Sequence, residues 1–392
     1  MISVQEAKQI LLQSIPRPQT MRVPLGEAHG LVAANEERAA VDVPTFDNSA
    51  MDGYAFQYSD SQSNYTVSHI IKAGDSKHYS VEPNHAARIF TGAPLPNGCD
   101  TVVQQEHCRV DNGILSFDQQ QVHKGLNVRM RGAQNAANDI LVRPGKVITP
   151  GIVGLLASTG VSEVAVYKPP SVGILVTGDE LRPVGTPLPF GHIYNSNQPT
   201  LHALLWSIGI QPATSIQLAD DSTQLYDAVN QVLSSTDVLV LSGGISVGDY
   251  DFVQDVLKSS GVETLFYKVR QQPGKPLFVG KTSSSIVFGL PGNPASVIAS
   301  FYQYVKPTLL AMMGHTQTFA PDAVLRLTNE VHSKRGLTQF LKAKRTSNTV
   351  TVSQGQESFN LSAFAEANCL VVIDEETEYL PVDAFVKTYY LE

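Results

Sequence analysis

From Ser171 onward, short apolar segments alternate with segments of helical pattern, and this alternation limits the fold more than any other feature of the chain. Buried strands separated by helices are typical of a doubly wound, mostly parallel sheet in an α/β domain. The apolar segments are SVGILVT, TSIQLA, DVLVLSGG, TLFYKV and SIVFGL. The predicted helices are Gln198–Ile208, Ser222–Leu233, Tyr250–Lys258 and Ala295–Met312.

The rest of the chain has a different pattern of apolar and turn residues, so we expect a multidomain fold of α/β plus β type. Apolar side chains at helical spacing predict a helix over Val4–Ser14, and a second helical stretch is predicted from Ile148 to Ala165. Between Val41 and Asn138, short β-like segments alternate with turn residues, which indicates a small β domain. Alternating β character returns after Gly314 and predicts a C-terminal β domain.

Length and composition narrow the class of protein. The 392 residues suffice for two to four domains, and 42% hydrophobic residues are ordinary for a globular protein. The formal net charge of -8 does not favour sequence-independent binding to nucleic acid. Three scattered cysteines form no disulfide framework or zinc site. Neither a signal peptide nor an apolar run of roughly 20 residues is present, so we expect a cytoplasmic protein without membrane or nucleic-acid partners.

Ligands of open parallel sheets bind beyond the carboxyl ends of the strands, where this chain has unusual turns. The glycine-rich turn from Ser242 to Asp251 has exposed N–H groups and serines that suit a phosphate. The carboxylates of Asp249 and Asp251 would repel a bare phosphate, and a Mg²⁺ ion bridging them to the phosphate would offset this repulsion. Alternatively, Asp249 only caps the next helix.

Two further segments have a structural and a functional interpretation. In Pro291–Pro294, Asn293 and Pro294 are residues that favour the start of a helix, which is a structural role. Lys275 lies between Pro273 and Pro276, and this stiff loop indicates either a lysine positioned to bind an anion or an ordinary solvated one. Asp52 and Thr91 lie in segments that could equally be ordinary turns.

Taken together, the motifs resemble those of the molybdopterin molybdenumtransferases, the family of MoeA and the gephyrin E domain. The resemblance covers nearly the whole chain in the expected order. It rests on the segments PTFDNSAMDGYA, TGAPLPNGCD, TGDEL, GHIYNSN, SGGISVGDYDFV, QPGKP and GLPGNP.

This resemblance implies an enzyme of molybdenum cofactor biosynthesis. It would insert molybdate into adenylyl-molybdopterin and release AMP, with Mg²⁺ assisting. It would act as a homodimer with a composite active site, and molybdopterin adenylyltransferase and apo-molybdoenzymes would be its partners. The implied domains are an elongated connecting domain (1–40 and 139–169), an inserted β domain (41–138), the α/β molybdopterin-binding domain (170–314) and a C-terminal β-barrel-like domain (315–392).

The resemblance also assigns roles to residues that match the family's motifs. The implied catalytic residues are Asp52, Thr91, Glu180, Asp251, Lys268 and Lys275. The implied metal ligands are Glu180, Asp249 and Asp251. The implied substrate-binding residues are Arg129, Gly178, Asp179, Asp220, Ser242, Gly243, Gly244, Ser246, Gly248, Pro291, Gly292, Asn293 and Pro294.

The sequence departs from the family pattern in three places. Ala133 and Gln134 stand where many relatives have two acids, Gln272 where some have lysine, and Lys342 where some have arginine. Because Mg²⁺ affinity depends on charged oxygen donors, the lost acids predict an elevated Mg²⁺ requirement. Alternatively, this segment is a solvent-exposed loop.

Two other functions remain open from the sequence. The adenylyltransferase that makes the substrate resembles the region from Ser171 to Gly314, although it lacks the SAMDGY segment. A non-catalytic scaffold, in the way gephyrin anchors receptors, would tolerate the changes at Ala133 and Gln134.

Overall fold

Four parallel strands form the larger part of a six-stranded sheet in the computed structural model, which describes residues 1–245 and 253–391. Two more strands extend this sheet in antiparallel orientation, so the sheet is mixed. The five predicted strands are confirmed, whereas the sequence analysis missed the one at Phe278. In spatial order, the strands are Thr214–Leu218, Val172–Thr177, Val238–Ser242, Ile286–Leu290, Phe278–Lys281 and Glu263–Tyr267.

The middle strands of this sheet are buried on both faces, which explains their unbroken apolar sequence. Every residue of the strands that begin at Val172, Val238 and Ile286 is buried. Ile174 packs in the core that includes side chains of the Asn197 helix, whereas the adjacent Leu175 packs in the core of the Ser222 helix. Helices therefore cover both faces of the sheet, as its apolar strands require.

Most predicted helices begin and end near the expected residues. The helices Val4–Ser14 and Ser222–Leu233 are confirmed, and Asn197–Trp206 lies within two residues of its predicted bounds. Ser3 caps the first of them through a reciprocal pair of hydrogen bonds with Glu6. Val253–Ser259 is helical, whereas the predicted start of that helix lies outside the described residues.

The helix predicted from Ile148 to Ala165 is wrong in its second half. The helix occupies Pro150–Ser158, and Glu163–Tyr167 is a strand. Gly160 has a φ of 83°, a left-handed conformation that ends a helix. The sequence EVAVY beyond it is rich in β-branched residues, which favour a strand.

The helix predicted from Ala295 to Met312 is interrupted by one π-helical turn. Pro294–Ser300 and Lys306–Met312 are α-helical, and Phe301–Val305 forms the π turn between them. Pro307 has no N–H to donate to the carbonyl four residues earlier, which favours the wider turn.

Residues Arg22–Val166 form one compact unit, and Met1–Met21 with Tyr167–Glu392 form the other. The smaller unit contains a six-stranded sheet in which the strands at Asn64 and His85 are parallel and the other pairs antiparallel. In spatial order its strands are Thr101–Gln104, Gly53–Phe56, His85–Ile89, Asn64–Ile71, Ile114–Phe117 and Cys108–Asp111. The unit's shorter strands include Glu37–Arg38, Asn48–Ser49, Val128–Arg129 and Ile140–Val142.

Five strands near the C-terminus pair in a closed ring. Each strand pairs with the next, and the last pairs with the first. In ring order, these strands are Thr338–Arg345, Thr349–Val352, Ala323–Leu327, Phe385–Tyr390 and Cys369–Ile373. Shorter elements are the Gln271–Gln272 strand, which pairs with Thr338, the Val331–His332 and Tyr379–Leu380 strands, and the Ser362–Glu366 helix.

We expect Ile174→Ala to lower the free energy of unfolding of the larger unit by about 2–5 kcal/mol, because it leaves a cavity in a fully buried strand. Trp206, the only tryptophan, lies in this unit and reports its unfolding by fluorescence in urea. Val184→Ala is the control, since Val184 is 69% exposed and should change stability by less than about 0.5 kcal/mol. Equal midpoints for the two variants would contradict the proposed core.

Candidate functional site

A pocket of about 540 Å³ lies at the carboxyl ends of the parallel strands. The turns after three of these strands form its wall, because the strands run in the same direction and are hydrogen bonded side by side. Ten of the residues predicted from the sequence line this pocket: Gly178, Glu180, Asp220, Ser242, Gly243, Gly244, Pro291, Gly292, Asn293 and Pro294.

Other predicted residues lie beside the pocket or outside the described part of the chain. Asp179 and Asp220 hold their two turns together, since each backbone N–H donates to the other's carboxylate at 3.0 and 3.3 Å. Lys268 and Lys275 do not line the pocket, although Pro276 does. The predicted residues Ser246, Gly248, Asp249 and Asp251 lie outside the described residues.

Bare backbone is required at the glycine-rich turn. Gly243 and Gly244 have φ angles of 101° and 63°, which favour glycine. A Cβ atom on Gly243 would lie 2.2 Å from the carbonyl oxygen of Thr177, and one on Gly244 would lie 2.6 Å from a methyl group of Val253. The turn therefore packs directly against the neighbouring strand end.

Buried polar side chains hold the turns of the pocket together. The Asn197 amide donates to Ser242 Oγ at 3.0 Å and to the Gly292 carbonyl at 2.8 Å. Asn197 Oδ1 and Thr177 Oγ1 are buried and have no hydrogen-bond partner among the described residues. Because unsatisfied buried polar atoms are costly, these two atoms are candidates for bonding a ligand. The sequence analysis missed both residues, although Asn197 ends the GHIYNSN motif.

The charged residues among those that line this pocket are acids. Glu180 and Asp220 contribute carboxylates, and no lysine or arginine is among the lining residues that the structure describes. Within residues 1–245 and 253–391, no group of three or more His, Cys, Asp or Glu side chains is arranged to hold a metal ion. An anionic ligand here would need a cation to offset these carboxylates.

A loop of the C-terminal segment, residues 355–360, completes the pocket wall. Ser358 Oγ accepts a hydrogen bond from the Asn293 amide at 3.2 Å, and its carbonyl accepts one from the Ala295 N–H at 3.2 Å. Phe359 lines the pocket while 72% of its surface is exposed. The sequence analysis assigned no role to this loop, because no motif marks it.

Lys342 organises this loop from inside the strand ring. Its ammonium group donates to the carbonyls of Gly355, Glu357 and Asn360 at 2.6, 3.1 and 3.4 Å. Lys342 is only 2% exposed, and burial lowers the pKa of its amine. Three carbonyl acceptors satisfy the buried ammonium, and it ties together backbone on both sides of Phe359.

In the smaller unit, the structure brings Asp52 and Thr91 into direct contact. Asp52 Oδ1 accepts hydrogen bonds from the backbone N–H and the hydroxyl of Thr91, both at 2.8 Å. These bonds, the backbone one first, hold the pKa of the half-buried Asp52 carboxyl below its usual value. Two predicted catalytic residues that are far apart in sequence therefore form one polar group.

The loop that carries Ala133 and Gln134 is anchored by another acid of the smaller unit. The Asp42 carboxylate accepts hydrogen bonds from the Arg131 guanidinium at 2.5 Å and the Ala137 N–H at 2.7 Å. Asp42 thus binds one residue on each side of the two altered positions, and neither contact needs a carboxylate at Ala133 or Gln134. Arg129, the predicted basic residue nearby, is exposed on a short strand that pairs with Asn48–Ser49.

Family models match almost the entire chain. The MoeA N-terminal region (domain I and II) matches residues 2–160, a probable molybdopterin binding domain residues 173–311, and the MoeA C-terminal region (domain IV) residues 324–389. These matches include both the strand-end pocket and the Asp52 segment.

Relatives and solved structures agree with the family models. A molybdopterin molybdenumtransferase of Haemophilus influenzae is 34% identical, covering 96% of this chain and 95% of its own length. Molybdopterin molybdenumtransferase 2 of Mycobacterium tuberculosis is also 34% identical, covering 96% of each chain. The molybdopterin biosynthesis MoeA protein of Pyrococcus horikoshii superposes with a TM-score of 0.86 at 28% identity, over 100% of this chain and 99% of its own.

The fold and the strand-end pocket thus define an enzyme of molybdenum cofactor biosynthesis. The chain belongs to the molybdopterin molybdenumtransferase family. Among the described residues, no helix is long and apolar enough to cross a membrane.

We expect Thr91→Val to raise the pKa of Asp52, because it removes the hydroxyl hydrogen bond and keeps the backbone one. If Asp52 acts as a carboxylate, the acidic limb of the profile of kcat/KM against pH should move to higher pH. The stability that these bonds confer is present above the ordinary pKa of aspartate and is lost as pH falls through the lowered value. Thr91→Ser should keep the wild-type profile, and an unchanged acidic limb in Thr91→Val would exclude this role for the hydroxyl.

We expect Lys342→Met to raise KM for the pterin substrate about tenfold, which is about 1.4 kcal/mol, because the 355–360 loop loses three charge-assisted hydrogen bonds. Lys342→Arg should recover most of the loss. Lys344→Met is the matched control, since the Lys344 side chain lies in the same strand and is 66% exposed. A wild-type KM in Lys342→Met would show that the loop does not depend on this ammonium.

Proposed function

We propose that this chain inserts molybdate into adenylyl-molybdopterin, releasing AMP and the molybdenum cofactor. The observation that carries the proposal is the strand-end pocket, in which three turns combine bare glycine backbone, buried hydroxyl and amide groups, and carboxylates. Its volume is within the roughly 300–1,000 Å³ that is usual for small-ligand sites. The molybdenum-binding thiolates belong to the pterin substrate, so the reaction requires no cysteine of the chain.

The pocket favours a ligand that is polar and partly planar, and an anionic ligand would bind there together with a cation. The glycine turn leaves no side chain between the ligand and the backbone, and Thr177 Oγ1 and Asn197 Oδ1 offer unused hydrogen-bonding capacity. Phe359 presents an exposed aromatic face on which a flat heterocycle such as a pterin or adenine could stack. The surrounding turns exclude water and orient the phosphoanhydride for transfer.

Mg²⁺ fits the donor chemistry of this pocket. Glu180 and Asp220 are hard oxygen donors, and Mg²⁺ in phosphoryl-transfer sites is usually held by one or two carboxylates together with substrate phosphates and water. The absence of a third described protein ligand is compatible with that mode. We assign Glu180 to the metal, as well as Asp249 and Asp251, which lie outside the described residues. When bound, the ion would polarise the phosphoanhydride and stabilise the departing AMP.

The remaining predicted residues have roles in the same proposal. Asp52, kept ionised by Thr91, acts on the reacting group, and the basic side chains of Lys268, Lys275 and Arg129 offset the charge of molybdate and phosphate. The enzyme acts as a cytoplasmic homodimer in which each active site combines residues of two subunits. Molybdopterin adenylyltransferase supplies its substrate, and apo-molybdoenzymes receive its product.

The test is AMP release from adenylyl-molybdopterin when molybdate is added in the presence of Mg²⁺. Wild-type protein should release AMP, and Asp52→Ala should lose activity at least a hundredfold with only a small fall in its unfolding midpoint, since general acid–base groups contribute about 10²–10⁴-fold whereas each lost hydrogen bond contributes about 1 kcal/mol. Asp75→Ala is the control, because Asp75 is another acid of the same unit whose carboxylate accepts hydrogen bonds from a side-chain hydroxyl, that of Tyr79, and from a backbone N–H, that of Lys77. Consumption of ATP with free molybdopterin would instead identify an adenylyltransferase. No turnover with either substrate would favour a scaffold.

A further inference from the structure

A second cleft lies between the N-terminal helix Val4–Ser14 and the C-terminal strand ring, and it shares no lining residue with the strand-end pocket. Its volume of about 610 Å³ is large enough for a small molecule. The helix contributes Lys8 and the ring contributes Lys387 and Tyr389. The proposed reaction uses none of these side chains.

Three charged groups of this cleft, those of Asp374, Glu375 and Lys387, are already neutralised by ion pairs. Lys387 Nζ lies 3.2 Å from an oxygen of Asp374, and Glu375 lies 3.0 Å from the guanidinium of Arg270. Neither pair leaves a charge that requires a further partner. These residues therefore frame the cleft without determining what binds in it.

Lys8 differs from these groups because it contacts only neutral partners in the described part of the chain. Its ammonium donates to Gln303 Oε1 at 2.8 Å and to the Tyr389 hydroxyl at 3.0 Å. The Tyr389 hydroxyl donates its own hydrogen to the Phe319 carbonyl at 3.1 Å, so its oxygen is free to accept from Lys8. The amine is thus held firmly at the wall of the cleft, with its charge uncompensated.

Gln303 adds a second unsatisfied group beside Lys8. This residue is fully buried in the π-helical turn, and its Nε2 has no hydrogen-bond partner among the described residues. Since π-helical turns occur frequently at functional sites, the position is consistent with binding. Gln303 does not line the cleft, whereas Lys8 does, and the group that complements the Lys8 donor is an acceptor with negative charge.

The titration of Lys8 agrees with this geometry. Burial, and to a lesser extent the nearby positive charge of Lys387, lowers the pKa of Lys8 to about 7. Tyr389 remains neutral near that pH, because burial raises its pKa to about 12. A bound anion would stabilise the ammonium form and would be favoured at lower pH.

We propose that this cleft is a binding site for a small molecule that carries a carboxylate or phosphoryl group, with the Lys8 ammonium as its counter-charge. The site is independent of the proposed molybdate insertion. Lys8→Met should therefore abolish anion binding in the cleft while AMP release stays at the wild-type rate.

Acetate and sulfate are suitable probes because neither changes its charge between pH 6 and pH 8, and they represent the carboxylate and phosphoryl groups respectively. At constant ionic strength, whichever of the two anions binds in the cleft should raise the thermal unfolding midpoint of the wild-type protein. Its affinity should be about tenfold higher at pH 6 than at pH 8, since the ammonium fraction of a group with a pKa of about 7 falls about tenfold over this range. Lys8→Met should show no gain, and Lys258→Met, which removes an exposed lysine, should behave like wild type.

The wild-type protein alone provides a second measurement if Lys8→Met does not fold. The rate at which formaldehyde with dimethylamine–borane methylates Lys8 at pH 8, followed by mass spectrometry, should fall several-fold in the anion that binds, whereas methylation of Lys258 should not change. Protection of Lys8 by either anion supports the site. Equal thermal gains in all three proteins, or methylation of Lys8 that neither anion slows, would overturn it.

Discussion

The site depends on the register in which the parallel strands end. Val176 pairs with Ser242, and Ser242 pairs with Leu290, so the turns after these three strands begin at the same edge of the sheet. Thr177 pairs with Leu218 in the fourth strand, which brings Asp220 to that edge as well. Because paired strands lie about 4.8 Å apart, residues distant in sequence become neighbours within one pocket. A shift of register in any strand would separate them.

Close packing of the turns then determines what the pocket can present to a ligand. The glycine turn lies against the Thr177 strand end so tightly that a single Cβ atom on Gly243 would overlap the backbone. Asn197 reaches from its helix to the second and third turns at once. The ligand therefore meets backbone and short polar groups on a rigid scaffold, which suits a reaction that depends on positioning and charge.

The C-terminal ring contributes residues or contacts to both the strand-end pocket and the cleft at Lys8. Closure of the ring buries Lys342, and the only acceptors that satisfy its ammonium in the described structure are carbonyls of the 355–360 loop. That loop places Phe359 at the strand-end pocket. The same ring contributes Tyr389 to the cleft at Lys8, whose ammonium has no carboxylate partner among the described residues. Changes in the ring can thus act on either site through short chains of hydrogen bonds.

The sequence pattern by itself determined the strands of the parallel sheet and most of its helices, because apolar period and turn chemistry are local properties. The family and the ten residues that line the pocket were identified through the resemblance to the family's motifs. The sequence-based prediction failed where local signals conflict or are absent. The helix at Pro150 ends early because Gly160 turns left-handed, and the Phe278 strand is short and follows a proline-rich loop. Only the tertiary structure decided that Thr91 lowers the pKa of Asp52, that Lys342 holds the loop of Phe359, and that Lys8 faces a cleft. Each of these contacts joins segments far apart in sequence, and burial and partner geometry have no signature in a single segment.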